Sequence, residues 1–244
     1  MPATVLLLTA TIDTGGTPRV ARSDPRIRLQ DYEGALRFWL QSGSVDHVVF
    51  CENSGYDLRS LEAVAASFSE SEVEFVSFDG NSVGTLRGKG FAELNIILYA
   101  LSHSNLLSRA GRVIKCTGRL NVRAAKGMMA RISAEKFDVM CDIGRYLTFA
   151  DSRFFAATPE FISDYLEREM DNVNDFNGIY LEHALACATM RALADRKMWR
   201  PLPASPQLIG ISGTLGSKIT DGPGKRQIRA VYSWIRRLIY RYRW

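Results

Sequence analysis

Residues 111–121, GRVIKCTGRLN, constrain this chain more than any other stretch. An apolar run through Val113 and Ile114, bounded by glycines, reads as a short buried strand of an α/β sheet. It ends at once in Lys115, Thr117, Gly118 and Arg119. Ligands of open α/β sheets bind beyond the carboxyl ends of the strands, and a lysine, a hydroxyl, a glycine and an arginine gathered there suit an anionic, phosphate-bearing ligand. The same residues also solvate an ordinary turn, so the other strand ends have to decide.

Residues 3–12 form a β-prone run that ends in Asp13-Thr14-Gly15-Gly16-Thr17-Pro18. These glycines lack the G-x-G-x-x-G spacing of a dinucleotide fold, which disfavours a dehydrogenase. A loop of about 20 residues follows. Its Arg19, Arg22, Arg26 and Arg28 either clasp phosphate or sugar-acid groups or simply hydrate the loop. Asp31 is the expected N-cap of a helix over 32–41, whose Tyr32, Ala35, Leu36 and Trp39 share one face. A second strand over 46–51 runs into a turn-rich loop in which Asp57 caps a helix to about residue 66, and a third strand over 73–78 stops at Asp79-Gly80-Asn81. Strand ends therefore carry Asp13, Asn53 and Asp79. In parallel neighbouring strands these would line one crevice and accept from a base imide or ribose hydroxyls, although turn chemistry explains each alone.

The segment LRGKGFAE, residues 86–93, sets glycines on both sides of Lys89 ahead of a helix expected over 94–102. Close backbone approach at a helix N-terminus favours an anion, but the spacing is not that of a Walker A loop. Glu93 falls on the stripe of Gly90, Leu94, Ile97 and Leu101. It should face inward near the crevice, to act in catalysis, to orient Lys89, or only to suit a helical first turn. Further on, residues 122–133 read as a helix, 137–141 as a strand, and 145–149 with 153–157 as a hairpin or two short strands around Ala150-Asp151-Ser152. Thr158 caps a helix over 159–169 with proline at its first position. A helix over 178–194 carries Glu182 and His183 near its start, about 100° apart, so one of the two at most serves a site.

With 244 residues and 46% apolar content, the chain can bury a substantial core as one large α/β domain with or without an appendage. Its apolar runs fall well short of the roughly 20 residues that span a bilayer, and no basic leader precedes the first of them, so a cytoplasmic protein is expected. Cys51, Cys116, Cys141 and Cys187 form no C-x-x-C pair and read as reduced packing residues, while scattered His47, His103 and His183 disfavour a zinc site. The net charge is +5, yet residues 225–244 hold seven basic residues and no acid, which leaves −2 for residues 1–224. An anionic surface is thus implied for one end only. The expected organisation is a main domain over 1–198, a Pro/Gly-rich strand and linker over 199–224, and a basic amphipathic helix over 225–244. In that helix Ile228, Val231, Ile235, Leu238 and Tyr242 keep helical spacing. Arg229, Trp234, Arg236, Arg237, Arg241 and Trp244 would meet anionic headgroups, at about 1 kcal/mol for each basic residue. A single-stranded nucleic-acid patch and a helix packed on a partner compete with that reading, and nucleic acid is not the expected partner.

Taken in order, the segments TATIDTGGTPRVARSDPRIRLQDY, FCENSGYDL, RGKGFAE and KCTGRLNV resemble glycosyltransferases from bacterial surface-polysaccharide gene clusters, those for O-antigen, capsule or exopolysaccharide. The likeness runs from Val5 to Glu182. It implies an α/β, Rossmann-like, mostly parallel central sheet flanked by helices, the glycosyltransferase A type. It further implies transfer of a sugar from a nucleotide-sugar donor to a growing, lipid-linked glycan, which the basic tail would place at the inner face of the cell membrane. Donor contacts would come from Thr11, Asp13 and Arg28, from Asn53 and Asp79, and from Lys89, Lys115, Thr117, Gly118 and Arg119. Enzymes of that type commonly hold a divalent metal with Asp-x-Asp, and this chain has no such triplet. Lys89, Lys115 and Arg119 would then stabilise the departing phosphate in place of the metal. A metal stays open if Asp142 or Asp151 meets Glu182. A general base for the acceptor hydroxyl is expected in Glu182 first, then Asp151, with Glu93 and His183 as further candidates. The rival functions are a nucleotidyltransferase acting on a sugar phosphate and a non-enzymatic module that binds nucleic acid or an anionic surface.

Overall fold

The computed structural model describes residues 3–16, 20–211 and 216–219, together with Gly224, Gln227, Val231 and Ile235. Its strands are β1 (Ala3–Ala10), β2 (His47–Glu52), β3 (Glu72–Ser77), β4 (Ala110–Thr117), β5 (Leu120–Val122), β6 (Val139–Met140), β7 (Ile143–Gly144), β8 (Phe149–Ala150), β9 (Phe154–Ala157), β10 (Trp199–Arg200), β11 (Leu208–Ile211) and β12 (Lys218–Ile219). The helices are α1 (Pro25–Gln41), α2 (Arg59–Ala66), α3 (Ser82–Arg87), α4 (Lys89–His103), α5 (Asn105–Ser108), α6 (Ala125–Ala134), α7 (Pro159–Phe161) and α8 (Leu181–Ala194). Seven strands form one sheet in the order β10-β6-β9-β4-β1-β2-β3. Only β9 runs against its neighbours in that sheet. The protein is therefore a mixed α/β fold with a mostly parallel central sheet flanked by helices, as expected. β1 to β4 all end at the same edge.

Alternation along the strands sorts the core into two layers. Val5, Leu7, Val49, Cys51 and Val113 pack with α4 and α8 on one face. Leu6, Leu8, Val48, Phe50, Ile114 and Cys116 pack with α1, α2 and α6 on the other. This parity decides where the polar residues of the strands point. Thr9, Lys115 and Thr117 share the odd-numbered face, and Thr9 lies directly beside Thr117 in the β1–β4 register. Since β1 and β4 are central, these polar side chains are enclosed on that face and need partners from α4.

Several boundaries differ from the sequence reading. α1 begins at Pro25 instead of residue 32, because Asp24 is the cap: its Oδ1 accepts from the Arg26 amide at 2.8 Å, and proline occupies the first turn. Asp31 instead pairs with Arg22, Nη2 to Oδ1 at 2.8 Å. The last part of the supposed long loop, from Pro25 on, is thus helix. The helix expected over 122–133 starts at Ala125, since residues 120–122 form β5 and pair with β11. Of the two readings of 145–149 and 153–157, the separate short strands hold: β8 pairs with β7 in a hairpin of its own, while β9 enters the central sheet. Phe154, Phe155, Ala156 and Ala157 are all fully buried, as a strand covered on both faces requires. The helix expected over 159–169 keeps its Thr158 cap, but after α7 it loosens into a π turn and then a 3₁₀ segment. The strand expected within residues 199–224 is β11, which pairs with β5, and β10 adds to the edge of the central sheet beside β6. Cys187 is exposed, unlike the other cysteines.

No helix among the described residues is long and apolar enough to cross a membrane. The arginines and tryptophans expected to meet one, Arg229, Trp234, Arg236, Arg237, Arg241 and Trp244, lie outside the described residues.

Candidate active site

A cleft of about 230 Å³ opens above the carboxyl ends of β1 and β4. Its floor is a polar cluster centred on Glu93, on the first turns of α4. Glu93 Oε1 accepts from the Lys115 ammonium at 2.5 Å, from Thr9 Oγ1 at 3.0 Å and from Thr117 Oγ1 at 3.1 Å. The Lys115 side chain is completely enclosed, and its Nζ also donates to the Ser152 carbonyl at 2.7 Å and to Thr117 Oγ1 at 3.3 Å. An ammonium has three protons, and all three have acceptors here. Lys115, expected to meet a donor diphosphate, therefore works from beneath the cleft: it fixes Glu93 and the 152 backbone. Burial would raise the Glu93 pKa, but the charge and hydrogen bond of Lys115, the charge of Arg119 and the Thr9 hydroxyl hold it below the usual carboxylate range.

The walls carry the remaining charges. Lys89, Arg119, Glu182 and Asp175 all line the cleft. Arg119 donates from Nε to the Ile211 carbonyl at 3.1 Å, which ties β11 to the end of β4. Glu182 sits in the first turn of α8 and accepts from Ser152 Oγ at 2.8 Å. Burial raises its pKa, and the nearby Glu93 and Asp151 carboxylates add to that shift. Asp175 accepts at Oδ2 from the Gly90 amide at 3.1 Å, and burial raises its pKa as well. The glycines of the GKG segment make room for it. A Cβ on Gly88 would lie 2.4 Å from Asp175 Cβ, and one on Gly90 would lie 2.6 Å from Oδ1. The anion cradle expected at this helix N-terminus is thus taken by a carboxylate of the protein itself.

Of the other expected residues, Thr11 and Arg28 reach the cleft and the rest stand outside its wall. Asn53 is fully buried and accepts from Thr11 Oγ1 at 2.6 Å, while Thr11 does line the cleft. Asp13 turns back to cap the Gly15 amide at 2.9 Å, and exposed Asp79 joins Ser54 in a β-bridge. Arg28 touches the cleft with a guanidinium already engaged by backbone carbonyls, Thr11 at 2.8 Å, Ile12 at 3.1 Å and Arg22 at 3.1 Å, so it shapes the loop after β1. Gly118 donates its amide to the Thr9 carbonyl at 2.8 Å and lies against the Tyr32 ring, where a side chain would clash. Asp151 is held by Arg153 at 2.6 and 2.8 Å; burial raises its pKa, but those bonds outweigh that and bring it below the usual range. His183 accepts at Nδ1 from the Tyr180 amide at 3.0 Å and stacks on the Tyr180 ring, which makes it a helix-start residue. The sequence reading missed Thr9, Ser152 and Asp175 as site residues.

The residues present do not fit a divalent ion of the kind that Asp-x-Asp would hold. The place after β4 offers an ammonium already bound to Glu93. Among the described residues, no group of three or more His, Cys, Asp or Glu side chains could hold a metal.

No family model and no curated relative matches the sequence. Among solved structures, the chain is similar to the inositol-1-phosphate CTP transferase from T. maritima, at 12% identity over 92% of this chain and 91% of that one, with a TM-score of 0.50. The fold is shared with that transferase. HddC from Yersinia pseudotuberculosis gives 12% identity over 95% and 99% of the two chains at a TM-score of 0.44. The galactosyltransferase LgtC gives 10% identity over 75% and 69% at 0.47. The last two scores are too low to bear on this chain's activity, and the first bears on its fold alone.

Proposed function

We propose that the protein is a glycosyltransferase that moves a sugar from a nucleotide-activated donor to a hydroxyl acceptor, with no metal on the donor diphosphate. One observation carries this reading: two carboxylates with burial-raised pKa values, Glu182 and Asp175, share a cleft with two cations, Lys89 and Arg119, above the ends of parallel strands. Group transfer of this kind needs a base for the incoming hydroxyl and positive charge for the outgoing phosphate. Glu182 takes the acceptor proton as the acceptor oxygen bonds to the anomeric carbon. The bond from that carbon to the phosphate oxygen breaks, its electron pair leaves with the nucleoside diphosphate, and Arg119 and Lys89 stabilise the departing charge. The Glu93–Lys115 pair beneath keeps Thr9, Thr117 and the 152 backbone in place. The acceptor is a lipid-linked surface glycan, and the basic, aromatic sequence of residues 225–244 supports action at the inner membrane face.

The test is incubation with UDP-, GDP- and dTDP-sugars in excess EDTA, scoring nucleoside diphosphate release. Release in EDTA supports the reading, whereas activity restored only by magnesium or manganese rejects the metal-free transfer. Pyrophosphate release from a nucleoside triphosphate and a sugar phosphate would replace it with nucleotidyl transfer. Liposome flotation of the full chain against a chain ending at residue 222 tests the membrane role, and equal flotation rejects it.

A further inference from the structure

We propose that the acceptor is a glycan of two or more sugar units, held along a row of rings that runs out of the cleft through Tyr180, His183 and Phe149 to the Arg145 guanidinium. This inference rests on the glycosyltransferase reading and adds the acceptor class to it. The row starts inside the cleft, where half-buried Tyr180 lines the wall two residues before Glu182. Its ring stacks on His183 with centroids 5.5 Å apart, and the His183 ring meets Phe149 edge to face at 5.4 Å. Phe149 belongs to β8 and stands outside the cleft wall. The Arg145 guanidinium lies 4.1 Å from the centre of its ring. Tyr180, His183 and Phe149 are half-buried and Arg145 is exposed, so the whole row can be reached from solvent.

The polar groups on this row are unspent. His183 Nδ1 accepts from the Tyr180 amide, which puts the ring proton on Nε2, and that N–H has no hydrogen-bond partner among the described residues. The Arg145 guanidinium has no carboxylate partner among them either; its contact is the Phe149 ring. The turn that carries it is held in an unusual shape. Arg145, Tyr146 and Leu147 take φ of +48°, +57° and +69°, and the Arg145 carbonyl accepts from the Thr148 amide at 3.2 Å and the Thr148 hydroxyl at 2.6 Å. Three successive left-handed residues cost free energy that glycine or asparagine would spare an ordinary hairpin. A sugar ring shows C–H groups on a face and hydroxyls around its rim, so the aromatic rings take the face while Nε2 and the guanidinium donate to the hydroxyl oxygens. A lipid chain on the same row would leave both donors without acceptors. One sugar beside Glu182 covers Tyr180; contact with Phe149 and Arg145 requires a second.

Calorimetric and saturation-transfer NMR titration of the full chain, with UDP or GDP present, tests the assignment. The probes are glucose, galactose, mannose and N-acetylglucosamine, each with its disaccharide and trisaccharide. In at least one series the disaccharide should bind about 3–10-fold tighter than the single sugar, the worth of one further ring contact. Phe149→Leu should remove that gain and Phe149→Trp should keep it, while Arg145→Ala should reduce it in part. A ring that only packs the hairpin would change the melting temperature and leave the ratio between two sugars as it was. Equal affinity along every series, a gain that survives Phe149→Leu, or failure of every saccharide to bind overturns the row. The transferase reading is scored separately, by nucleoside diphosphate release from sugar nucleotides. Release without the length gain defeats the row alone, and pyrophosphate release from a nucleoside triphosphate and a sugar phosphate defeats both.

Discussion

Replacing Lys115 with methionine probes the floor of the cleft most directly, because it removes one charge while nearly keeping the volume. The ammonium is completely enclosed, and it is the donor nearest Glu93, at 2.5 Å. Taking away one partner of a buried pair leaves the other charge uncompensated, at a cost of about 3–5 kcal/mol. Glu93 keeps a quarter of its side chain exposed and still accepts from Thr9 and Thr117. The lower end applies, about 3 kcal/mol, and the orphaned Ser152 carbonyl adds about 1 kcal/mol. For a chain of this size each kcal/mol lowers the melting temperature by about 2–4 °C, so a drop of about 8–16 °C is expected at pH 7. The pH dependence fixes the cause. In the wild type the folded pKa of Glu93 lies below its ordinary 4.5, so its contribution is present above that value and is lost as pH falls through the folded pKa. In Lys115→Met both Lys115 contributions are gone and burial, the largest single cause, is opposed by the Arg119 charge and the Thr9 hydroxyl alone, so the folded pKa should rise above the unfolded one. The carboxyl is then tolerated below 4.5 and becomes destabilising as pH rises through the new value. Urea denaturation should therefore show a deficit that is full at pH 7, partly reduced near pH 4.5 where the mutant no longer carries a buried charge, and small only once pH falls through the folded pKa of wild-type Glu93, with partial recovery when Glu93→Gln is added. A deficit below about 1 kcal/mol at pH 7, or one that does not shrink in acid, refutes the account of the buried pair.

Glu182→Gln should lower turnover by about 10²–10⁴-fold, the usual reach of a general base. In the wild type, activity should fall as pH drops through a pKa above the ordinary 4.5, and Ser152→Ala, which removes a bond that holds this pKa down, should move the acid limb higher still in a pH–rate profile. Gly88→Ala should destabilise by about 1–3 kcal/mol by chemical denaturation, since it combines a φ of +96° with a Cβ placed 2.4 Å from that of Asp175.

The parallel core was legible because its strands are short apolar runs that end in polar turns, and those signals are local. The same locality explains the misreadings. Asp24-Pro25 is a stronger helix start than Asp31, yet four arginines drew the segment toward a ligand loop. β9 reads as half a hairpin until its burial on both faces is known. In the site, Glu93 was placed correctly on the inner stripe of its helix, because helical periodicity reports facing. What the pattern could not report was that Lys115 and Glu93 meet, since 22 residues separate them and only the sheet–helix packing joins them. Thr9 carried a faint signal, a hydroxyl at an odd-numbered position in an otherwise apolar central strand. Asp175 carried another in the two glycines around Lys89, whose open space suits a phosphate equally well. The residue that fills this space lies 85 positions from Gly90.

Which cation faces a phosphate follows from which charges in the cleft are already balanced. Lys115 is neutralised by Glu93, and Arg153 by Asp151. Arg119 has a different character: among the described residues its guanidinium is hydrogen-bonded through Nε alone, to the Ile211 carbonyl, it lines the cleft, and its charge reaches Glu93 without a contact as close as that of Lys115. Diphosphate affinity should therefore follow Arg119 and not Lys115. The informative quantity is the ratio of uridine to UDP dissociation constants, because it cancels contacts to the nucleoside and reports the phosphates alone. Arg119→Ala should reduce that ratio by about 10–100-fold, the worth of a lost hydrogen bond to a charged group, and Arg119→Lys should recover part of it. The double variant Lys115→Met, Glu93→Gln keeps the floor neutral, as it is in the wild type, and should leave the ratio in place despite lower stability. If instead the double variant loses the ratio and Arg119→Ala keeps it, the enclosed ammonium reaches the phosphate after all, and the division between a supporting floor and a binding wall is wrong.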